Sequence, residues 1–424
     1  MIGFILPEGV QGELHRRTYR SWGVSFQNSM FEGTSHSRND LRTVRVIDSG
    51  KMSTATSTKP DCEEELVKTA LELSKYGTVV NFDFPGPSEY AEIELADPKV
   101  AQIDFPEMIE IGDDLLHSLL KVDPNIRASA SLGAQEVKVN LSNSNGFSGE
   151  YSKTVFRAGM GAQYIQGEDF LRFGEYRSSW TNDIDYEELK KEVIQLFEWA
   201  KEITDIDAGS YPVIFAPGEV GNLLRPFIAS LNGKAVARGI SPLEDKIGEE
   251  LLDTRITLID DGTLPREVSS VPFDREGIPT QKNVLIDRGV VKQILTDLET
   301  ARALGLPPTG NGTGSGPAPH RTILVPGETP LKKLIKDIEK GLIVFGTMGA
   351  WTGNPYGGNV SGTISLGLKI EGGEIAGRVK NCMFSINSFK HFKDNLIGLS
   401  QETKSLGSST YPYVVLDDVV ITTG

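Results

Sequence analysis

From residue 208 onward the chain breaks into short apolar runs separated by glycine-containing turns, and this spacing constrains the fold more than any other feature. Pro212–Ala216, Arg255–Ile259, Asn283–Ile286, Thr322–Val325, Leu342–Phe345, Thr363–Ile370, Ile375–Val379 and Tyr413–Ile421 all have strand length. Strands at such short intervals predict a mostly antiparallel sheet that curls toward a barrel or a sandwich. Short helices interrupt it; one is expected over Leu331–Lys340, opening behind Pro330 and stopping at Gly341. Gly372–Gly377 has the glycine spacing of a phosphate loop, but Arg378 stands where a lysine belongs and strands flank it, which points to a hairpin turn.

The first half reads differently, as strands interleaved with longer helices. Thr43–Ile47 alternates polar and apolar residues and reaches a turn at Asp48-Ser49-Gly50. Asp61, with Glu64 three residues on, predicts a capped helix that buries Leu66, Val67, Ala70, Leu71 and Leu73 and stops at Gly77. Phe105-Pro106 opens a second helix, and Asp185–Ile203 has the apolar spacing of a third. Between them Gln135–Ser142 reads as a half-buried strand ending at the turn Asn143-Ser144-Asn145-Gly146. The expected fold class is therefore α+β: N-terminal α/β units, then a large curved C-terminal sheet with short helices. The expected divisions are 1–95, 96–207 and 208–424, with 1–207 as a single unit the alternative.

Composition narrows the function classes. A net charge of −15 with no basic run argues against a nucleic-acid surface, which needs clustered Lys and Arg. Two cysteines, Cys62 and Cys382, make neither a CxxC pair nor a disulfide framework, which fits a reducing cytoplasm. The apolar stretch Ile2–Pro7 has no basic flank and is too short for a signal segment, and no run approaches membrane-spanning length.

Candidate chemistry is sparse. His15, His36, His117, His320 and His391 are scattered, so no two imidazoles share a helix face as a zinc motif requires. G-x-S-x-G is absent, Cys382 sits in an apolar stretch, and Cys62 stands among acidic residues that oppose a thiolate. The loop Gly310–Gly316 could cradle a phosphate with backbone N–H groups, yet it matches neither phosphate-binding fingerprint, and a mobile loop is the plainer reading. Asp260-Asp261 and Asp274/Glu276 are expected to be solvated turn residues, since a general acid–base role would require burial.

Several segments, in order, carry a resemblance. They are Asn143–Gly146, Lys246-Ile247-Gly248 with Ile259–Asp261, Pro272–Thr280, Val284–Gly289, Thr300–Arg302, Leu304–Leu306 with Thr309–Asn311, and Ser361 through Glu371–Glu374. Together they resemble the TldD/PmbA family, known also as modulators of DNA gyrase. In that family, TldD-type subunits carry a zinc helix H-E-x-x-x-H behind a strand and a Pro-Gly turn. The matching stretch here runs Val213–Gly218, and Arg225, Pro226 and Ser230 fall at the first ligand, the general base and the second ligand. Arginine cannot shed a proton to bind zinc. The late cysteine ligand is also missing, because no cysteine follows Cys382.

The resemblance thus implies the zinc-free PmbA/TldE branch. It implies a cytoplasmic, non-catalytic subunit with no cofactor of its own, paired with a TldD-like zinc metalloprotease subunit that cleaves unfolded or precursor peptides. Thr309, Gly310, Asn311 and Gly312 are the expected chamber or peptide-contact loop. A standalone homodimeric peptide-binding scaffold is the competing reading, and a hydrolase with an unrecognised site a third.

Overall fold

The computed structural model describes residues 5–167 and 169–424; the start of the Ile2–Pro7 stretch lies outside the described residues. Strands dominate. β1 (Gln11–Gln27), β2 (Met30–Asp48) and β3 (Lys51–Ser57) form a meander, followed by α1 (Glu63–Ser74) and the short β4 (Thr78–Val79). Next come α2 (Pro98–Gln102), α3 (Phe105–Leu120), the long strands β5 (Ile126–Asn143), β6 (Ser148–Gln166) and β7 (Asp169–Ser179), and α4 (Tyr186–Ala200). These strands make one seven-stranded sheet, ordered β4-β3-β2-β1-β5-β6-β7. β1 pairs with β5 from Glu13 to Phe26, so the strands before residue 60 and those after residue 125 share one sheet.

The helices close where their caps dictate. Asp104 and Asp185 accept hydrogen bonds from Glu107 N and Glu188 N, capping α3 and α4. The expected cap at Asp61 does not form. Asp61 takes a left-handed conformation (φ 49°), α1 starts at Glu63 behind Cys62, and no side chain caps it. Leu73, expected inside, is exposed.

The second half contributes β8 (Gly209–Phe215), α5 (Pro217–Ser230), α6 (Gly233–Ala237), β9 (Leu258–Asp261), β10 (Lys282–Asp287), β11 (Val290–Val291), α7 (Leu298–Leu304) and β12 (Thr322–Leu324). Then follow α8 (Leu331–Lys336), β13 (Lys340–Met348), β14 (Asn359–Glu371), β15 (Glu374–Val379), β16 (Cys382–Asn387), α9 (Ser388–Asp394), β17 (Leu396–Ser405) and β18 (Ser409–Thr423). α8 is shorter than its sequence pattern, because Lys340 already pairs with Glu371 in β13–β14. The path β18-β16-β14-β13-β8 returns to β18 through the β8–β18 pairing, closing a five-stranded barrel. The Gly372-Gly373 hairpin joins β14 to β15, both glycines at positive φ (58° and 77°), as a tight turn between twisted strands demands.

The barrel strands read as continuous apolar runs because both their faces are covered. Ile214, Ile343, Leu368 and Val415 join a core shared with α3, α4 and the seven-stranded sheet. Their neighbours Val213, Phe215, Val344 and Leu416 pack instead with Val220, Leu224 and Phe227 of α5. The barrel therefore fixes α5 on one side and holds the N-terminal sheet on the other.

Candidate functional site

Helix α5 follows β8 with only Ala216 between them, and Pro217 occupies its first turn, where a missing N–H costs nothing. The buried carboxylate of Glu219 anchors the start of the helix. It accepts from Thr347 N (3.0 Å) and the Thr347 hydroxyl on β13, and from Asn222 Nδ2 (3.0 Å). The i, i+3, i+7 spacing of Gly218, Gly221 and Arg225 puts them on one helix face. Gly218 and Gly221 line a cavity of about 430 Å³, and Arg225, further along, reaches the carbonyl of Gly353 (3.4 Å). Pro226 lies buried inside the helix, with no N–H to offer the carbonyl one turn back. Ser230 is fully buried, and its hydroxyl has no partner among the described residues.

The opposite wall of this cavity comes from the N-terminal sheet. Gly174, Glu175 and Tyr176 belong to β7, the last strand of that sheet, which among the described residues pairs on one side only. The floor includes Phe345, Tyr411 and Tyr413. Burial pushes the Tyr411 and Tyr413 phenols up, and neighbouring carboxylates add to the effect at Tyr413. The charges around the cavity are matched: Lys404 contacts Glu175 (2.7 Å) and Glu192 (2.9 Å), and Arg177 contacts Glu192 (2.6 Å).

The implied zinc can be tested against these residues, and they do not fit it. Arg225 presents a permanent cation, Ser230 a neutral hydroxyl, and the Cys382 thiol lies in barrel strand β16, pushed up by burial and donating to Lys380 O (3.0 Å). Among the described residues no three His, Cys, Asp or Glu side chains gather into a metal-ligating group.

The second group of expected residues lies elsewhere. Thr309, Gly310, Asn311 and Gly312 are buried, and only the tip, Thr313–Ser315, is exposed. Thr309 exchanges hydrogen bonds with the Thr296 backbone, accepting from its N–H (2.9 Å) and donating to its carbonyl (3.0 Å). Asn311 Nδ2 donates to Asp260 (2.6 Å), and Asn311 Oδ1 accepts from Asn283 Nδ2 (3.0 Å). Gly310 has φ 71°, and a Cβ there would meet Pro279 O at 2.4 Å, so no side chain is tolerated. The first half of the loop is thus a built, buried structure rather than a solvated one. Gly312 and Thr313 line a different cavity, of about 320 Å³, which Arg225 does not border.

The acidic pairs overturn the expectation of solvated turns. Asp260, Asp261, Asp274 and Glu276 are all buried. Burial pushes the Asp274 carboxyl up to about 7, helped by Glu276, even though it accepts from the N–H groups of Glu276 (2.8 Å), Ile278 (2.9 Å) and Gly312 (2.6 Å). Burial also raises Asp260 and Glu276. Sequence reasoning missed a further carboxylate outright: Glu13 on β1, wholly buried. Burial alone would raise its carboxyl, but Arg45 and Arg275 hold it down at about 2. Arg45 grips it with two bonds (2.9 and 2.8 Å), and Arg275 reaches it across the two halves of the chain at 2.6 Å. A charged residue between strand-like neighbours in Gln11–Leu14 was the one available signal.

This closed barrel, with a long helix leaving β8 and a buried Asp274–Thr280 segment, defines a class that the comparisons identify. Residues 208–423 match the PmbA/TldA metallopeptidase C-terminal domain, and residues 98–204 its central domain. The chain belongs to the TldD/PmbA family. It is 31% identical over 362 residues to an uncharacterized protein of Methanocaldococcus jannaschii, spanning 83% of this chain and 82% of that one. It is 24% identical over 397 residues to a metalloprotease of Methanothermobacter thermautotrophicus, covering 90% and 86% of the two chains. Its fold matches the crystal structure of TldE from Thermococcus kodakarensis with a TM-score of 0.88 at 22% identity, over 98% of this chain and 97% of that one. No described helix is long and apolar enough to cross a membrane.

Proposed function

We propose that this chain is a non-catalytic, TldE-like subunit that lines a peptide chamber together with a zinc-bearing TldD-like partner. The observation that carries the reading is α5. It keeps its place behind β8, beside a cavity of about 430 Å³, while carrying Arg225, Pro226 and Ser230 where metalloprotease chemistry would need two ligands and a base. Arg225 spends its guanidinium on a loop carbonyl, a structural use. The unpaired edge of β7 beside the cavity suits an extended peptide, which would add as a further strand through backbone hydrogen bonds and with little side-chain selectivity.

The test mixes the purified chain with the TldD-type protein of its own host and follows cleavage of an unstructured peptide. The chain alone should be silent, should hold far less than one zinc per chain once freed of any affinity tag, and should raise the partner's activity while co-eluting with it. Near-stoichiometric zinc, or a partner equally active alone that never co-elutes, would overturn the reading. A self-paired chain that binds extended peptide without any partner would instead support the homodimeric scaffold.

A further inference from the structure

The 320 Å³ cavity is chemically unlike its neighbour. Its back is one face of the N-terminal sheet, where cross-strand pairing sets Arg17 opposite Val139, Val139 opposite Tyr151, and Val137 opposite Lys153. Its front is the segment Val271–Arg275 with Gly312 and Thr313. The floor is apolar: Val137, Val139 and Phe273 belong to one buried cluster, with the Tyr151 ring 5.3 Å from Phe273, edge to face.

The charges on these walls do not balance. Among the described residues no carboxylate lies within ion-pair distance of Arg17 or Lys153, and Lys153 has only the carbonyl of Val268 (3.2 Å). Burial, then Arg17 and Arg157, pushes the Lys153 ammonium down to about 8. The nearby carboxylates are committed elsewhere, Glu13 to Arg45 and Arg275 and Asp274 to three backbone N–H groups. His15, beside them, is held neutral, pushed down to about 3 first by burial and then by Arg275. A half-buried ammonium without a counter-ion is costly in a chain of net charge −15, which has carboxylates to spare. A half-buried cation, with the exposed Arg17 at the edge of an apolar floor in a cavity of this size, matches a small-molecule site, which is mostly apolar with a few placed polar groups.

We infer that this cavity binds the carboxylate of a small organic acid, with Lys153 and Arg17 holding the anion and the apolar body resting on Phe273, Val137 and Val139. The site is separate from the α5 cavity and does not depend on the subunit reading, because the chain is tested alone. The acid can be free or can be the last residue of a peptide, and the two sources are distinguishable.

Calorimetric titration of the full chain at low ionic strength, with phenylacetate and its neutral analogue phenylacetamide, tests the anion requirement. Phenylacetate should bind saturably at one site, and the amide at least about tenfold more weakly, the usual scale for losing a partly desolvated charge contact. Lys153→Met and Arg17→Gln should each weaken phenylacetate at least about fivefold, Lys153→Arg should restore most of it, and Lys68→Met on α1 should change nothing. Peptides ending in phenylalanine, as the free acid or the amide, then assign the source. Tight binding of the acid peptide alone marks a peptide terminus, and binding of phenylacetate without either peptide marks a free metabolite. The inference fails if the intact chain binds no acid at millimolar concentration, or binds acid and amide alike. It also fails if folded Lys153→Met and Arg17→Gln variants keep wild-type affinity.

Discussion

The N-terminal sheet meets the barrel half of the chain across two cavities, and they differ in how charge is settled. Around the α5 cavity every cation named above has a partner inside the chain: Lys404 and Arg177 are closed by Glu175 and Glu192. Around the second cavity the carboxylates are locked into Arg45, Arg275 and backbone N–H groups, leaving Lys153 and Arg17 uncompensated. The first cavity suits a backbone, which carries no net charge; the second suits an anion. Family likeness points to the first through α5 and touches the second at Phe273, Asp274, Arg275 and Gly312. The second emerges from a half-buried ammonium, Lys153, that no carboxylate among the described residues pairs with.

Breaking the lock between the halves should have the largest effect. Glu13→Ala leaves Arg45 and Arg275 without their shared carboxylate, and removing one partner of such a buried pair typically costs about 3–5 kcal/mol. Denaturant titration reads this directly. A loss under about 1 kcal/mol would mean that Glu13 does not hold the halves together.

His15 sharpens the contrast through pH. Its folded value of about 3 lies below the ordinary 6.5, so the unfolded chain binds the proton first as pH falls. Its contribution to stability is complete above about 6.5 and drains away toward 3, with a slope of up to about 1.4 kcal/mol per pH unit. Asp274 has the opposite sign: raised to about 7, it binds its proton more tightly in the fold, so stability falls as pH rises from about 4 to 7. His15→Gln should therefore remove the rise between about pH 3 and 6.5 that offsets the Asp274 decline, leaving that decline in view. An unchanged profile would show that His15 does not titrate as its burial implies.

At α5 the expected change is smaller and favourable. Pro226→Ala restores an N–H inside a helix and should raise stability by about 1 kcal/mol, part of the intrinsic proline penalty. It should recruit no zinc, since Arg225 and Ser230 remain, and metal analysis of the variant checks this. Smallest of all, His320→Ala and His391→Ala should leave the activity of any co-assembled protease within about tenfold, below the 10²–10⁴ range of a lost acid or base. Both imidazoles already serve backbone carbonyls, Gly310 O (2.7 Å) and Asn387 O (2.8 Å). A thousandfold loss in a folded variant would reveal an unrecognised catalytic group.

The sequence exposed the barrel well and the N-terminal sheet poorly, for a physical reason. Barrel strands are apolar on both faces, so Leu342–Phe345 and Thr363–Ile370 stand out as runs. β1 was missed because half of its length faces solvent or the ionic cluster with His15, Arg16, Arg17 and Arg20; only Trp22, Val24 and Phe26 alternate visibly. α5 was foreseen only through the family likeness, since Pro226 argues against a helix until the packing of Val220, Leu224 and Phe227 outweighs it. The lock at Glu13 joins residues 262 positions apart, and no local pattern encodes such a contact. Asp260 and Asp274 looked like turn residues because an acidic side chain that caps buried backbone N–H groups has the same local sequence as one that faces water.

The way the barrel closes has a consequence for how the chain is made. β8, its first strand in sequence, pairs with β18, its last, so the ring cannot shut until residues 409–423 have left the ribosome. The sheet built from residues 11–179 is complete long before that. A nascent chain thus carries a finished N-terminal layer and, for the duration of some two hundred further additions, apolar barrel strands with open edges, the stage at which such proteins aggregate or need a chaperone.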